Sequence, residues 1–505
     1  MRSLLCLSVF ILTSGCSLVN PEVTDQQPNI VFIFTDDQTY RAVGALGNAQ
    51  INTPHIDRIV EGGTSFTHAY NMGGWNGAIC VASRAMMISG RSMWRARAFQ
   101  EGWRAMDSVA LSQTWGQLME SDGYDTYMTG KWHVQAPADS VFQVAKHIRP
   151  GMPGDRWNHG AMMDKLENDD VSLSEVMPVG YNRPIDENDQ SWSPTDSSFG
   201  GFWEGGQHWS EVVRDDAFDF IEQASGSEKP FFMYLAFNAP HDPRQAPQEY
   251  VKMYPIESIE TPESWLPEYP YKDEIGCSQM LRDEALAPFP RTEFALKTHL
   301  QEYYAIISHL DEQIGQVLDR LEATGQMENT YVFFASDHGL AVGRHGFLGK
   351  QNMYDHSMRV PLAVMGPGIP AGKRIHTDVY LQDIMATSLE LAGIEKPDYV
   401  EFNSLLPLIH GDREESFYDG IYGAYIDLQR MIRKDDHKLI VYPKISRVRL
   451  YDLSSDPEEL QDLSTSLEYR DKAVTLFGEL LELQWEFDDQ HQLGDLYEEW
   501  TTSEE

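Results

Sequence analysis

The sequence predicts an α/β protein in which a large, mostly parallel sheet is sandwiched by helices and followed by a smaller C-terminal α+β subdomain. Three observations predict it. Apolar runs at 30–35 (IVFIFT), 125–129 (DTYMT), 231–237 (FFMYLAF), 331–335 (YVFFA) and 360–365 (VPLAVM) have the length and bulk of strands buried on both faces. Helical spacing fills the intervals, at 111–121, at 209–224 and at 296–324, the last stopped by Gly325. Such alternation implies a parallel sheet with helices on both faces. Beyond residue 412 the pattern changes to short strands with turn residues (IYGAYIDLQRMIRKDDHKLIVY, RLYDLSSDP) and an acidic, helix-like tail at 468–487. A chain of 505 residues exceeds what one core usually serves. The expected division is an export signal at 1–15, a main domain at 28–412 and an antiparallel-sheet-plus-helix subdomain at 413–505. The stretch 140–208, rich in Pro, Gly, Asn and Trp, reads as long loops of the kind that line clefts.

The first segment is MRSLLCLSVFILTSGC. One basic residue (Arg2), an apolar run from Leu4 to Leu12 and small residues up to Gly15-Cys16 are too short to span a bilayer and read as a secretory signal. Gly15-Cys16 resembles a lipoprotein box, in which Cys16 carries the lipid; plain cleavage is the alternative, because Thr13 stands where that pattern prefers Leu. Ser17 resembles an outer-membrane sorting signal, so the expected location is an outer-membrane lipoprotein or the periplasm of a Gram-negative bacterium. No later apolar run is long enough to cross a membrane. Two of the four cysteines, Cys6 and Cys16, belong to this segment, so no disulfide framework exists; Cys80 and Cys277 either bridge or remain thiols. The 39 basic residues against 78 acidic ones give a net charge of −39, which argues against binding nucleic acid or an anionic membrane through a general basic face. An anionic substrate must be held by a few local cations.

In an open parallel sheet the carboxyl ends of the strands face one edge, where ligands bind. Asp36 and Asp37 follow the first run, Lys131 and His133 the second, His241 the third, Asp337 and His338 the fourth. Three carboxylates at one edge drive each other to protonate unless compensated, and a hard divalent cation, Ca²⁺ or Mg²⁺, is the natural remedy. An Asp pair at a strand exit is also an ordinary helix cap; Asp337-His338 turns the reading towards metal. Lys131, His133, His241 and Lys350 (in FLGKQNMYD) supply cations and proton donors around it.

In this order across residues 29–365, NIVFIFTDDQ, CVASR, TGKWH, APHDP, SDHGLAVGRHG and GKQNMYDHSMRVPLAV resemble the formylglycine-dependent type I sulfatases of the alkaline-phosphatase-like superfamily. The resemblance makes 28–412 a catalytic domain. It implies that Cys80, in a C-x-[P/A]-x-R motif with Ala82 where Pro is commoner, is oxidised by a maturation enzyme to 3-oxoalanine (formylglycine). The hydrated aldehyde has two geminal hydroxyls: one attacks sulfur in line, and the other later loses its proton so that the aldehyde re-forms and expels sulfate. Asp36, Asp37, Asp337 and His338 resemble the ligands of one Ca²⁺, which would polarise the sulfate. Arg84, four residues after Cys80 on the same helix face, would orient the hydrated aldehyde. Lys131 and Lys350 would hold sulfate oxygens. His241 matches the proton donor to the leaving oxygen, and His133 the base that breaks down the sulfated intermediate.

His338 departs from the Asn often found there. Imidazole is a poor partner for Ca²⁺, so either His338 is peripheral or the site is altered. The Asp-His version resembles the iduronate-2-sulfatase-like branch, which points to carbohydrate sulfate esters. His345 in GRHG either faces the pocket or serves structure. Export, an acidic exterior and tryptophan-rich loops at 192–209 suit a bacterial enzyme acting on oligosaccharides of a sulfated polysaccharide, for example a marine algal one; the alternative is that those tryptophans pack loop interiors. A phosphoester or phosphonate hydrolase of the same superfamily stays in view, with CVASR arguing for sulfate. So does a non-catalytic glycan-binding lipoprotein, which would be expected to have lost Cys80, Arg84 or Lys350.

Overall fold

The computed structural model describes residues 27–152 and 157–502. The expected signal at 1–15 and Cys16, the expected site of the lipid, lie outside the described residues. The main sheet has eight strands. Its central members are β1 (Asn29–Thr35), β2 (Asp125–Lys131), β3 (Phe231–Ala236), β4 (Thr330–Ser336) and β5 (Leu362–Met365). The order across the sheet is Lys373–Ile375, Thr64–Phe66, β5, β4, β1, β3, β2, Val144–Arg149. From β4 to Val144–Arg149 all neighbours run parallel, as the alternating pattern predicts. β5 pairs antiparallel with both β4 and Thr64–Phe66. Parallel pairing needs a crossover, and the connection from β4 to β5 holds only the four-residue helix Asp355–Met358.

Period-two alternation divides β1 between two cores. Ile30, Phe32 and Phe34 point to one face, packed with α1 (Ile79–Ser89); Val31 and Ile33 point to the other, under α2 (Trp209–Ser225) and α3 (Glu293–Ala323). Each such side chain removed from water contributes about 1.5–3 kcal/mol, which explains why Ile30 to Phe34 contain no charge. α3 begins three residues before position 296: the Thr292 side chain accepts from the Ala295 amide and caps the helix, and Glu293 opens the first turn. The helix expected at 111–121 is two, Ser108–Ser112 and Trp115–Ser121, separated where Thr114 turns extended.

The segment expected as loops at 140–208 contains an edge strand, Val144–Arg149, and the helix His159–Asn168. The strand's sequence, VAKHIR, is half-exposed and carries no apolar run. In the C-terminal part four antiparallel strands, Ile421–Tyr425, Gln429–Lys434, His437–Tyr442 and Arg447–Asp452, are covered by the helix Arg470–Glu486. Their apolar side chains join the same core as α1. A two-residue strand, Gly73–Gly74, completes that sheet by pairing with Ala424 and Tyr425. Gly73 has φ +88°, and a Cβ there would lie 2.1 Å from the Ala424 carbonyl oxygen, so only glycine permits this pairing. The C-terminal sheet thereby fixes the segment leading into α1. Among the described residues no helix is long and apolar enough to cross a membrane.

Candidate active site

Cys80 is the second residue of α1, and every side chain of that helix is buried. Lys350 Nζ donates to Cys80 Sγ (3.1 Å) and to both carboxylate oxygens of Asp37 (2.5 and 2.6 Å). Lys131, at the end of β2, pairs with Asp36 Oδ2. It reaches the edge through a bulge at Gly130, where φ is +91° and a Cβ would meet the Ala236 carbonyl at 1.9 Å. Arg84, one turn beyond Cys80, donates from Nε to Asp337 Oδ2 and from Nη1 to the Lys131 carbonyl, each at 2.9 Å. Asp337 Oδ1 accepts from the Asp37 amide (3.1 Å). His241 Nε2 lies 3.6 Å from Asp37 Oδ2. Asp37 (φ +66°) and His133 (φ +56°) both adopt the left-handed region, strain of a kind that clusters at functional sites.

The ten side chains expected from the sequence thus sit at one sheet edge, with different neighbours. Ligand atoms of Asp36, Asp37, Cys80 and His241 lie within 4.8 Å of one another; Asp337 and His338 fall outside that quartet. Both oxygens of Asp337 are taken by Arg84 and the Asp37 amide, while His338 Nδ1 bonds to the Gly339 carbonyl (3.0 Å) and its Nε2 is buried without a partner. Asp36 Oδ1, Arg84 Nη2 and His133 Nδ1 are likewise buried and unpartnered. Three carboxylates, one of them with an orphaned oxygen, fit a hard divalent cation, whose ligands are oxygens. A thiol sulfur does not.

Burial and neighbouring charge shift several groups here. Burial, reinforced by Asp337, raises Asp36 well above the carboxylate range, and burial lifts Asp37 to about 6 against the pull of Lys350. Burial would lift Asp337 too, but Arg84, Lys131 and Lys350 outweigh it and hold that carboxyl low. Burial pushes the Cys80 thiol up to about 12 despite Lys131 and Lys350. Burial, then Lys131 and Arg84, bring His133 down to about 2, and burial with Lys350 and Arg282 holds His241 far below its ordinary value. The partners fix the His241 tautomer. Nδ1 donates to the Asp242 carbonyl (2.6 Å), and Nε2 accepts from Arg282 Nη2 (3.1 Å). To donate a proton from Nε2, His241 must first gain one and release Arg282.

A cavity of about 760 Å³ opens over Cys80, His133, His241 and Lys350. Pro150–Met152, Trp157 and His159 from the 140–208 stretch line it, as expected of cleft loops. The tryptophans at 192–209 do not line it: Trp192 packs on Arg183 (4.9 Å), Trp203 on His208 (5.1 Å) and Trp209 on Phe202 (5.3 Å). His345 also stays away, stacked 4.0 Å from Tyr354 with Nε2 bonded to the Glu459 carbonyl (3.0 Å). Cys80 and Cys277 are both free thiols; Cys277 donates to the Gln351 carbonyl (3.1 Å). Arg282, Asp283 and Gln351 line the cavity without having been expected. Gln351 Nε2 ties Asp283 Oδ2 (2.6 Å) to the Gly77 carbonyl (3.0 Å). The only signal for Arg282 and Asp283 is charge inside a loop, RDE at 282–284, that carries no periodicity, whereas Gln351 stands next to Lys350 in GKQNMYD.

Carboxylates, ammonium groups and imidazoles gathered around one protected side chain at the carboxyl edge of a parallel sheet are the groups that ester hydrolysis needs. A family model described as Sulfatase matches residues 28–394, and one described as N-sulphoglucosamine sulphohydrolase, C-terminal, matches residues 343–486. The chain belongs to the sulfatase family, and its activity is that of a sulfuric ester hydrolase. It is 29% identical to the arylsulfatase of Clostridium perfringens (strain 13 / Type A) over 464 residues, 88% of this chain and 92% of that one. With the N-acetylglucosamine-6-O-sulfatase of Bacteroides thetaiotaomicron it shares 25% identity, covering 94% and 90%. Its fold is similar to a solved protein in complex with its substrate D-glucosamine-2-N,6-O-disulfate, with TM-score 0.70 and 22% identity over 92% of this chain and 99% of that one.

Proposed function

We propose that the protein hydrolyses sulfate esters of a carbohydrate through a formylglycine made from Cys80, with one Ca²⁺ beside it. The observation that carries this reading is the state of Cys80. It faces the cavity 3.1 Å from Lys350 Nζ, yet burial pushes its thiol up to about 12, which disfavours the nucleophilic thiolate at neutral pH. Oxidation by a maturation enzyme would replace it with a hydrated aldehyde, one hydroxyl of which attacks sulfur while the other drives release of sulfate. Ca²⁺ held by Asp36 and Asp37, with Asp337 and His338 as the further ligands that the resemblance implies, would polarise the sulfate oxygens.

The chain's own residues do the rest. Lys350 and Lys131 bring two ammonium groups to the place where negative charge builds up. Arg84 fastens Asp337 and keeps Nη2 free for the hydrated side chain. His241, reprotonated at Nε2, would hand its proton to the leaving oxygen, and His133 accepts one at its unpartnered Nδ1. An anion bound between Lys131 and Lys350 offsets the charges that hold His133 down, so it becomes a stronger base with substrate present.

The glucosamine sulfates named for the relatives, and a cavity lined by Trp157, Ser278 and His159, support a sugar. We place the protein outside the cytoplasm of a Gram-negative bacterium, anchored by lipid at Cys16 in the outer membrane or free in the periplasm, and acting on oligosaccharides of a sulfated polysaccharide such as an algal one. The test is product release from matured protein offered an aryl sulfate, sugar sulfates and phosphonate or phosphate monoesters. Sulfate freed fastest from the sugars is expected. Preference for phosphorus esters would move the protein to the phosphonate-hydrolase reading, and no turnover at all would favour glycan binding without catalysis.

A further inference from the structure

A second large cavity, of about 930 Å³, lies between the helix Met93–Arg104 and the C-terminal subdomain. Three features set it apart from an ordinary surface hollow. Gln100, only 3% exposed, lines it with Oε1 buried and without a hydrogen-bond partner. Asn76 Oδ1 and His491 Nε2, also on its wall, are buried and unpartnered too. Buried polar atoms of this kind are ordinarily satisfied, so the three on one wall call for water or for hydrogen-bonding groups of a ligand.

The charges on the same wall narrow the ligand. Asp489 is held by Arg430 (2.6 and 3.0 Å), Asp488 by Arg95 (2.6 Å), Glu101 by Arg104 and Asp427, more loosely, by Lys444 (3.9 Å). Exposed Arg97 has no carboxylate partner among the described residues, only the Trp94 ring at 5.9 Å. No metal-ligand group occurs here among the described residues. Two indoles, amide and imidazole acceptors and one uncommitted guanidinium suit a polyhydroxylated ring that carries an anionic substituent.

Position links this cavity to the first. Trp75 and Asn76 line it, while Gly77, Ala78 and Cys80 line the active-site cavity. The backbone from Asn76 to Cys80 spans at most about 14 Å, within the reach of a short oligosaccharide. We infer that the second cavity is a subsite for saccharide units beyond the one that loses its sulfate, so that the enzyme selects oligosaccharides over single sulfated sugars. The inference rests on the carbohydrate reading above.

The test compares kcat/KM on matched mono- and tetrasaccharide sulfates prepared from heparin and from carrageenan. Matured wild type is set against Ala98→Trp, an exposed wall position whose indole would fill the cavity, and Arg97→Ala. The tetrasaccharide-to-monosaccharide ratio does not depend on how much of each preparation folds. The wild type should favour the tetrasaccharide by about tenfold or more; Ala98→Trp should lower the ratio about tenfold and Arg97→Ala about threefold, chiefly through KM. A wild-type ratio near one, or a ratio unchanged in Ala98→Trp, would overturn the subsite while leaving the carbohydrate reading in place. No sulfate released from either length of either sugar would overturn both.

Discussion

At the carboxyl edge of the main sheet Asp36, Asp37 and Asp337 meet Arg84, Lys131 and Lys350; where the C-terminal sheet packs on the main domain, Asp355 and Glu459 meet Lys438, equally buried. The second cluster is saturated. Lys438 Nζ donates to Asp355 and to Glu459 (2.6 Å), the Asp355 amide donates to Glu459 Oε2 (2.8 Å), and the Tyr70 hydroxyl donates to Asp355 (3.3 Å). No side-chain oxygen or nitrogen of those three residues lacks a partner. The sheet-edge cluster instead keeps Asp36 Oδ1, Arg84 Nη2 and His338 Nε2 unsatisfied beneath an open cavity. Buried charge by itself therefore marks nothing. Unfinished hydrogen bonding beside a cavity marks the place where a cation and a substrate complete the set.

Substitutions should separate the two clusters. Cys80→Ala is expected to lower sulfate release by about 10⁴-fold or more, as loss of a nucleophile does, with little change in melting temperature. Lys438→Met should leave turnover of the remaining folded protein intact but cost about 3–5 kcal/mol of stability, because Asp355, which Lys438, Arg359 and Arg433 hold low against the upward push of burial, loses its main cation. Lys350→Met should do the reverse, losing about 10²–10³ in kcat. Its stability cost should be smaller, since Asp37, already lifted to about 6, takes up a proton. Equal costs in denaturant unfolding of the two lysine variants would break the comparison.

Calcium provides a readout without turnover. At a hundredfold excess over its Kd, Ca²⁺ should stabilise the protein by about 2.7 kcal/mol, and Asp36→Asn should abolish that shift while Glu459→Gln preserves it. The smallest effect expected is one of pH. Burial pushes Glu459 up from 4.5 to about 7, against the pull of Lys438. The folded protein thus holds a proton that the unfolded chain has lost, so this group's contribution is full below about 4.5 and disappears as pH rises towards 7. Glu459→Gln should flatten the fall in stability over that window, measured as unfolding midpoint against pH.

Much of the architecture was legible because the central strands are buried on both faces and must be apolar throughout. The edge strand Val144–Arg149 was not, since half of it is solvated, and the reversed direction of β5 follows from a missing crossover helix that no residue of β5 encodes. The site residues could be read because each follows a strand or belongs to a spaced motif. Arg282 and Asp283 could not, because only the folded path of a loop brings them to Cys80; Gln351 sat in the Lys350 motif without being singled out. Tryptophans at 192–209 left two readings open for a related reason: composition does not say which face of a loop is inside, and theirs is.

The most direct measurement is the mass of the peptide containing residue 80, from protein co-expressed with a formylglycine-generating enzyme, set against sulfate release by the same preparations. Conversion of Cys80 to the aldehyde, with activity proportional to the converted fraction, is the predicted result. Full sulfate release from protein in which Cys80 remains a thiol would contradict it.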